Sequence, residues 1–131
     1  MDERVVPRCV YTIPEIACVG ITEREAKSGA VDIKVGKFPF SANGKATILG
    51  ERNGFIKIIA GTKYDEILGV QIIGPHATDL IGEAVLAMRL ESTALDLAES
   101  IHPHPTLTEA VMEAALDADG MVVHMPPRKK Q

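Results

Sequence analysis

A histidine and a glutamate five residues apart have the spacing in this chain that best suits acid–base chemistry. His104 precedes Pro105, and a residue before proline is biased towards extended or turn backbone. Thr106 and Glu109 then fit the capping-box pattern with which helices begin. A carboxylate beside such a turn can hold the imidazole in one tautomer and favour its charged form. The segment therefore predicts a general acid–base pair.

The same residues also have plainer interpretations. A Thr-x-x-Glu box often only starts a helix, and many histidines simply pack or face water. His102 and His104 form a His-x-His pattern, but no third ligand follows at a spacing typical of a metal site. We therefore predict no metal site and keep the structural interpretation of the pair open beside the catalytic one.

Hydrophobic periodicity and turn residues predict the elements that position this pair. The predicted strands lie at residues 8–11, 16–20, 31–40, 55–60 and 67–73, and the predicted helices at 77–91, 93–98 and from about 106 to 119. A capping box at Thr22 and Glu25 opens a further short helix that Gly29 ends, whereas Asn43–Gly44 marks a turn or irregular link. This order predicts an α+β fold with a mainly antiparallel sheet and helices packed on one face.

The two longer helices have features of a dimer surface. The helix predicted at 77–91 has apolar residues on more than one face, whereas a surface helix usually has one apolar stripe. The last helix is rich in alanine, which suits close packing. We expect a homodimer on these grounds; the alternative is that both helices pack only within one domain.

Composition and charge exclude several classes of protein. The chain has 131 residues, of which 46% are hydrophobic and 24% charged, so one globular domain is expected at residues 1–120. A C-terminal tail is expected at 121–131, and its end at 126–131 is expected to be basic and solvated. A net charge of -4 without long basic runs argues against a nucleic-acid binder. No apolar run approaches the roughly 18 residues of a membrane span. Met1 is followed by a charged stretch rather than a signal peptide, so we expect a cytoplasmic protein.

Cysteines and glycines exclude familiar redox and nucleotide motifs. Cys9 and Cys18 match neither a C-x-x-C pair nor a zinc half-site, so we predict buried free thiols in a reducing compartment. No two glycines are separated by a single residue, which rules out the G-x-G-x-x-G fingerprint. No phosphate-binding loop or G-x-S-x-G elbow is present either.

Three separated segments resemble a known family in the right order. Residues 10–20 (VYTIPEIACVG), 72–81 (IIGPHATDLI) and 104–110 (HPTLTEA) resemble the C-terminal interface domain of the pyridine nucleotide–disulfide oxidoreductases. The likeness covers about residues 5 to 120. It implies an isolated interface domain, roughly the last quarter of a homodimeric enzyme. FAD and NAD domains and a C-x-x-x-x-C disulfide would precede it, so we expect no cofactor to bind this chain alone.

The resemblance also implies residue roles. His104 would act across the dimer on the disulfide and flavin of the other subunit, removing a proton from the dithiol of dihydrolipoamide, and Glu109 would orient and charge it. His104 and Pro105 would lie near the FAD of the partner subunit, and the peptide bond between them would be cis. Pro103 is a departure, because relatives often carry a small residue there.

The resemblance implies a substrate branch as well. The segment 107–110 (LTEA) favours the lipoamide branch, with lipoyl-bearing proteins of a 2-oxo acid dehydrogenase or glycine cleavage system as partners. The same domain from a related disulfide reductase is the runner-up. A stand-alone dimerisation or docking module without catalysis is the competing class. In either case, the isolated chain is expected to be inactive.

Overall fold

A five-stranded antiparallel sheet forms the centre of the domain. The computed structural model describes residues 2–126, so the basic end of the predicted tail, from residue 127 onwards, lies outside the described residues. The strands are β1 (Arg8–Val10), β2 (Glu15–Gly20), β3 (Ile33–Pro39), β4 (Phe55–Gly61) and β5 (Ile67–Gly74), in the spatial order β1-β2-β5-β4-β3. The helices are α1 (Glu23–Ser28), α2 (Gly44–Leu49), α3 (Ala77–Arg89), α4 (Ala94–Glu99) and α5 (Glu109–Ala118), with short 3-10 turns at Glu3–Val5 and Phe40–Ala42. The predicted α+β class is confirmed.

One face of the sheet carries the core and the two longer helices. Gly36, Ile58, Val70 and Val19 are register partners across four strands and therefore point to the same face. Helix α3 packs on β2 and β5, and α5 packs on β3 and β4. The core between these layers includes Ala17, Val19, Phe38, Phe40, Ile56, Ile58, Val70, Ile72, Leu80, Ile81, Val111 and Ala114.

Helix α5 lies unusually close to the sheet. A Cβ atom built on Gly36 would lie 1.8 Å from the carbonyl oxygen of Ala114, so only glycine fits at this point of β3. The short helix α1 is the exception to one-sided packing. Its Glu23 pairs with Lys57, which alternates with Ile58 and so points to the opposite face.

The two predicted dimer helices differ in what they expose. Helix α3 buries one side in the core but exposes Leu86, as the two-sided pattern predicted, and Leu90 is exposed at the C-cap just after the helix. In α5, by contrast, Ala110, Ala114 and Ala115 are buried within this domain and do not form an exposed alanine surface, whereas Ala118 is half-buried. No helix in residues 2–126 has the length and hydropathy that a membrane crossing requires.

Two local predictions were wrong in detail. Asn43 does not mark a plain turn: its side chain accepts a hydrogen bond from the Ala46 N–H and caps α2, and Gly50 ends that helix in the left-handed conformation. Cys9 and Cys18 are free, as predicted, but only half-buried.

Candidate functional site

His104 and Glu109 are in direct contact. The His104 Nδ1 atom lies 2.9 Å from Glu109 Oε1. The histidine side chain is 78% exposed, whereas that of the glutamate is 20% exposed. The peptide bond between His104 and Pro105 is cis, as the resemblance implied, and Pro105 is exposed beside the ring. The turn therefore presents an imidazole on the domain surface with its carboxylate partner underneath.

The turn before α5 holds Glu109 through half of a capping box. Glu109 Oε2 accepts a hydrogen bond of 2.9 Å from the Thr106 N–H, as the pattern predicts. The Thr106 hydroxyl, however, donates to the Pro103 carbonyl at 2.6 Å instead of accepting from the helix. Helix α5 consequently begins at Glu109, with Thr108 as its N-cap, and not at Thr106. Each oxygen of the carboxylate thus has one partner.

Opposing effects set the pKa of Glu109. Partial burial of this carboxyl alone would raise its pKa. The Thr106 N–H and the hydrogen bond with His104 outweigh burial, with a smaller contribution from the charge of His124, so the pKa of Glu109 lies below its ordinary value. The glutamate is therefore an anion at neutral pH, and it accepts a hydrogen bond from the Nδ1–H group of the ring.

The remaining ring nitrogen is available for chemistry. Nδ1–H donates to the carboxylate, so the neutral tautomer of His104 has its lone pair on Nε2. Nε2 has no hydrogen-bond partner among residues 2–126, and the ring is exposed. An imidazole in this state can accept a proton from an approaching acid, and the carboxylate stabilises the positive charge that results.

A second histidine–glutamate pair lies two residues earlier, and sequence reasoning missed it. His102 Nε2 lies 2.6 Å from Glu83 Oε1 of α3, and His102 Nδ1 lies 2.8 Å from the Ser100 carbonyl oxygen. Its side chain is only 8% exposed. No local pattern indicates this contact, because 19 residues separate the partners.

A third pair ties the chain after α5 back to that helix. Glu113 is buried, and its Oε2 accepts hydrogen bonds from the N–H groups of Val123 and His124. Its other oxygen contacts His124 Nδ1. Sequence reasoning gave no role to either residue, although Glu113 follows Glu109 by one helical turn.

A metal ion or a cofactor at this site would need side chains that can hold it. Within residues 2–126 no three histidine, cysteine or acidic side chains are grouped closely enough to hold a metal ion. Contact of His104 and Pro105 with FAD involves groups beyond this chain and stays a prediction.

Comparison with known proteins identifies the family. Residues 6–115 match the model of the pyridine nucleotide-disulphide oxidoreductase dimerisation domain. The chain belongs to this family. It is 54% identical over 124 residues to a dihydrolipoyl dehydrogenase of Bacillus subtilis. The aligned residues make up 95% of this chain and 26% of that protein. Dihydrolipoyl dehydrogenase 3 of Pseudomonas aeruginosa is 47% identical over 92% of the chain and 26% of its own length.

Solved structures agree with this assignment. LpdA from Mycobacterium tuberculosis matches with a TM-score of 0.83 and 30% identity, over 88% of this chain and 25% of that one. The HOCl-induced flavoprotein disulfide reductase RclA from Escherichia coli matches with a TM-score of 0.81 and 25% identity, over 84% of this chain and 25% of its own. The chain thus spans about a quarter of the relatives that it matches.

Proposed function

We propose that this chain is the dimerisation domain of a dihydrolipoyl dehydrogenase and that His104 is the base that deprotonates dihydrolipoamide at the redox disulfide of the partner subunit. The observation that carries the proposal is the His104–Glu109 contact of 2.9 Å, with Nε2 facing outwards. The identity of about 50% to dihydrolipoyl dehydrogenases supports the choice of substrate. The proposed partners are a second copy, the FAD and NAD domains of the parent enzyme and cytoplasmic lipoyl-bearing proteins.

The proton transfer explains why the histidine needs the glutamate. An ordinary thiol has a pKa of about 8.5 and an ordinary imidazole about 6.5, so transfer from one to the other costs about 2.7 kcal/mol. The S–H proton moves to His104 Nε2, and the sulfur keeps the electron pair with which it attacks the disulfide. Glu109 stabilises the imidazolium that forms, which lowers this cost.

The exposure of His104 supports a site completed by another surface. Two clefts of about 920 and 440 Å³ on the domain are lined by other residues, including Tyr64 and Met88 in the larger and His76 in the smaller. Exclusion of water would strengthen the interaction between the imidazolium and its carboxylate partner. A second copy, docked through the exposed Leu86 of α3 and the exposed Leu90 at its C-cap, is the proposed source of a surrounding that excludes water.

FAD and NAD would be held elsewhere in the parent protein. No phosphate-binding loop is present in this sequence, so the only contribution that fits from this chain is the exposed turn at His104 and Pro105. When bound, these cofactors accept the electrons that the dithiol loses. The task of this chain is to hold and move the proton.

The test is His104→Gln in the full-length protein. We expect kcat for dihydrolipoamide oxidation by NAD to fall about 1000-fold, because the glutamine cannot accept the proton. Reduction of an artificial electron acceptor by NADH serves as the control, since it needs the flavin but no deprotonated dithiol. Dihydrolipoamide oxidation within threefold of wild type would refute the role of His104.

A non-catalytic docking module is the second candidate, and one observation favours it. The exposed leucines of α3 provide an association surface that does not depend on the dyad. In that case, variants at Leu86 and Leu90 would abolish dimerisation, measured by light scattering, while His104→Gln would have no effect on any turnover.

A further inference from the structure

His102 has both ring nitrogens occupied. Nδ1 lies 2.8 Å from the Ser100 carbonyl oxygen and Nε2 lies 2.6 Å from Glu83 Oε1. The ring is 8% exposed, so water contributes little to its hydrogen bonding. A lone pair for proton transfer is therefore not available on this histidine, in contrast to His104.

The partners of His102 determine where hydrogens lie on its ring. A carbonyl oxygen only accepts, so Nδ1 of His102 carries a hydrogen. A carboxylate oxygen at 2.6 Å from Nε2 requires a second proton between these two atoms. Within residues 2–126, Glu83 is the only titratable group that forms a hydrogen bond with the ring. The pair is thus linked by a short, largely buried hydrogen bond that has one proton between His102 Nε2 and Glu83 Oε1.

This bond fastens the segment that presents His104. Ser100 is the C-cap of α4, and Glu83 lies in the middle of α3, so His102 joins the end of one helix to the middle of another. On the other side of the turn, the Asn43 side chain donates a hydrogen bond of 3.0 Å to the Thr106 carbonyl. His104 lies between these two anchors.

We propose that His102 and Glu83 are positioning residues for His104, acting through their hydrogen bond and without touching substrate. This inference rests on the proposed function, because it concerns the placement of the same base. A shift of about 1 Å in a catalytic group can lower the rate about 100-fold. Loss of the anchor on α3 removes one of the two fixed points of the turn.

The test compares Glu83→Ala with Glu83→Gln in the full-length enzyme. Glutamine preserves the link, because its side-chain N–H can donate to Nε2 of a neutral His102 whose Nδ1–H still bonds Ser100. We expect Glu83→Ala to lower kcat for dihydrolipoamide about 10-fold to 100-fold with KM unchanged. Glu83→Gln should stay within threefold of wild type, and NADH-driven reduction of an artificial acceptor should be unaffected in both variants.

A double variant separates this proposal from the proposed function. In a His104→Gln background, Glu83→Ala should lower kcat by less than twofold more, because the base that it positions is already gone. A full further loss would overturn the positioning role while leaving the role of His104 intact. Wild-type turnover by His104→Gln alone would instead overturn the proposed function.

Three further outcomes would overturn the positioning role of His102 and Glu83. Wild-type turnover by Glu83→Ala would overturn the proposal. Equal losses in the alanine and glutamine variants would overturn it as well, because the hydrogen bond would then not be what positions the turn. A parallel loss of NADH-driven acceptor reduction would indicate a general structural role instead.

Discussion

His102 and His104 are two residues apart, and each contacts a glutamate, yet their surroundings differ in every respect that matters for catalysis. Within residues 2–126, His104 bonds through Nδ1 alone and is 78% exposed, whereas His102 bonds through both nitrogens and is 8% exposed. Contact with a carboxylate therefore does not by itself identify a base. What distinguishes the two rings is whether one nitrogen is left without a partner.

The two glutamates differ in their position on a helix and in the segments that they link. Glu109 holds its histidine with one oxygen and the Thr106 N–H with the other, at the first residue of α5. Glu83 lies within α3 and links that helix to the segment before the turn. The first pair leaves Nε2 of its histidine without a partner among residues 2–126, whereas the second pair belongs to a histidine whose two ring nitrogens are both bonded.

The largest expected difference between the two glutamates is in kcat, and Glu109→Gln tests it. The amide still accepts from Nδ1–H but no longer stabilises the imidazolium, so we expect kcat for dihydrolipoamide to fall about 100-fold, or about 2.7 kcal/mol. The matched change, Glu83→Gln, should cost at most threefold. Steady-state kinetics of both full-length variants measure the difference, and equal losses would mean that the two carboxylates have the same role.

Local sequence patterns predicted much of the fold and one of these pairs. The hairpin of β4 and β5 and the capping box of α1 are confirmed, because each depends on residues close together in the chain. The His104–Glu109 contact was predictable for the same reason, since both residues lie on one turn. Its exposure, however, depends on how α5 packs on the sheet.

Local sequence patterns did not predict the long-range contacts or one of the short helices. Glu83 and His102 meet only because α3 and the segment after α4 pack side by side, and no residue pattern records that. Helix α2 was missed because it has only six residues and begins with glycine, which is a poor helix former. The capping box at Thr106 was half right: Glu109 accepts from the Thr106 N–H, but the Thr106 hydroxyl bonds the Pro103 carbonyl and the Thr108 hydroxyl and does not cap the helix.

Gly36→Ala tests whether the placement of the dyad depends on the close approach of α5 to the sheet. The added Cβ would meet the Ala114 carbonyl oxygen at 1.8 Å, so the helix carrying Glu109 must shift. We expect a loss of about 2 kcal/mol in the free energy of unfolding, measured by urea denaturation followed by circular dichroism.

Gly82→Ala is the matched control on α3, next to Glu83. A Cβ there meets no atom within 4 Å, and alanine favours a helix over glycine by about 0.5–1 kcal/mol. This variant should therefore be as stable as wild type or slightly more so. If Gly36→Ala were equally stable, the close packing of α5 would not constrain the position of Glu109.

The smallest effect is a shift in a titration curve. The Thr106 N–H bonds Glu109 Oε2, so its amide proton resonance should follow the ionisation of this carboxyl, with a midpoint below the ordinary value of 4.5. By linkage, Glu109 then contributes stability above about pH 4.5 that is lost as the pH falls through the lower folded pKa.

The Thr22 N–H, bonded to Glu25 at 2.7 Å, is the internal control, because the pKa of Glu25 is lowered by the Thr22 backbone N–H and hydroxyl without a histidine. In Glu109→Gln only the Thr106 titration should vanish, and a wild-type midpoint at or above 4.5 would mean that burial outweighs the bonds from the turn.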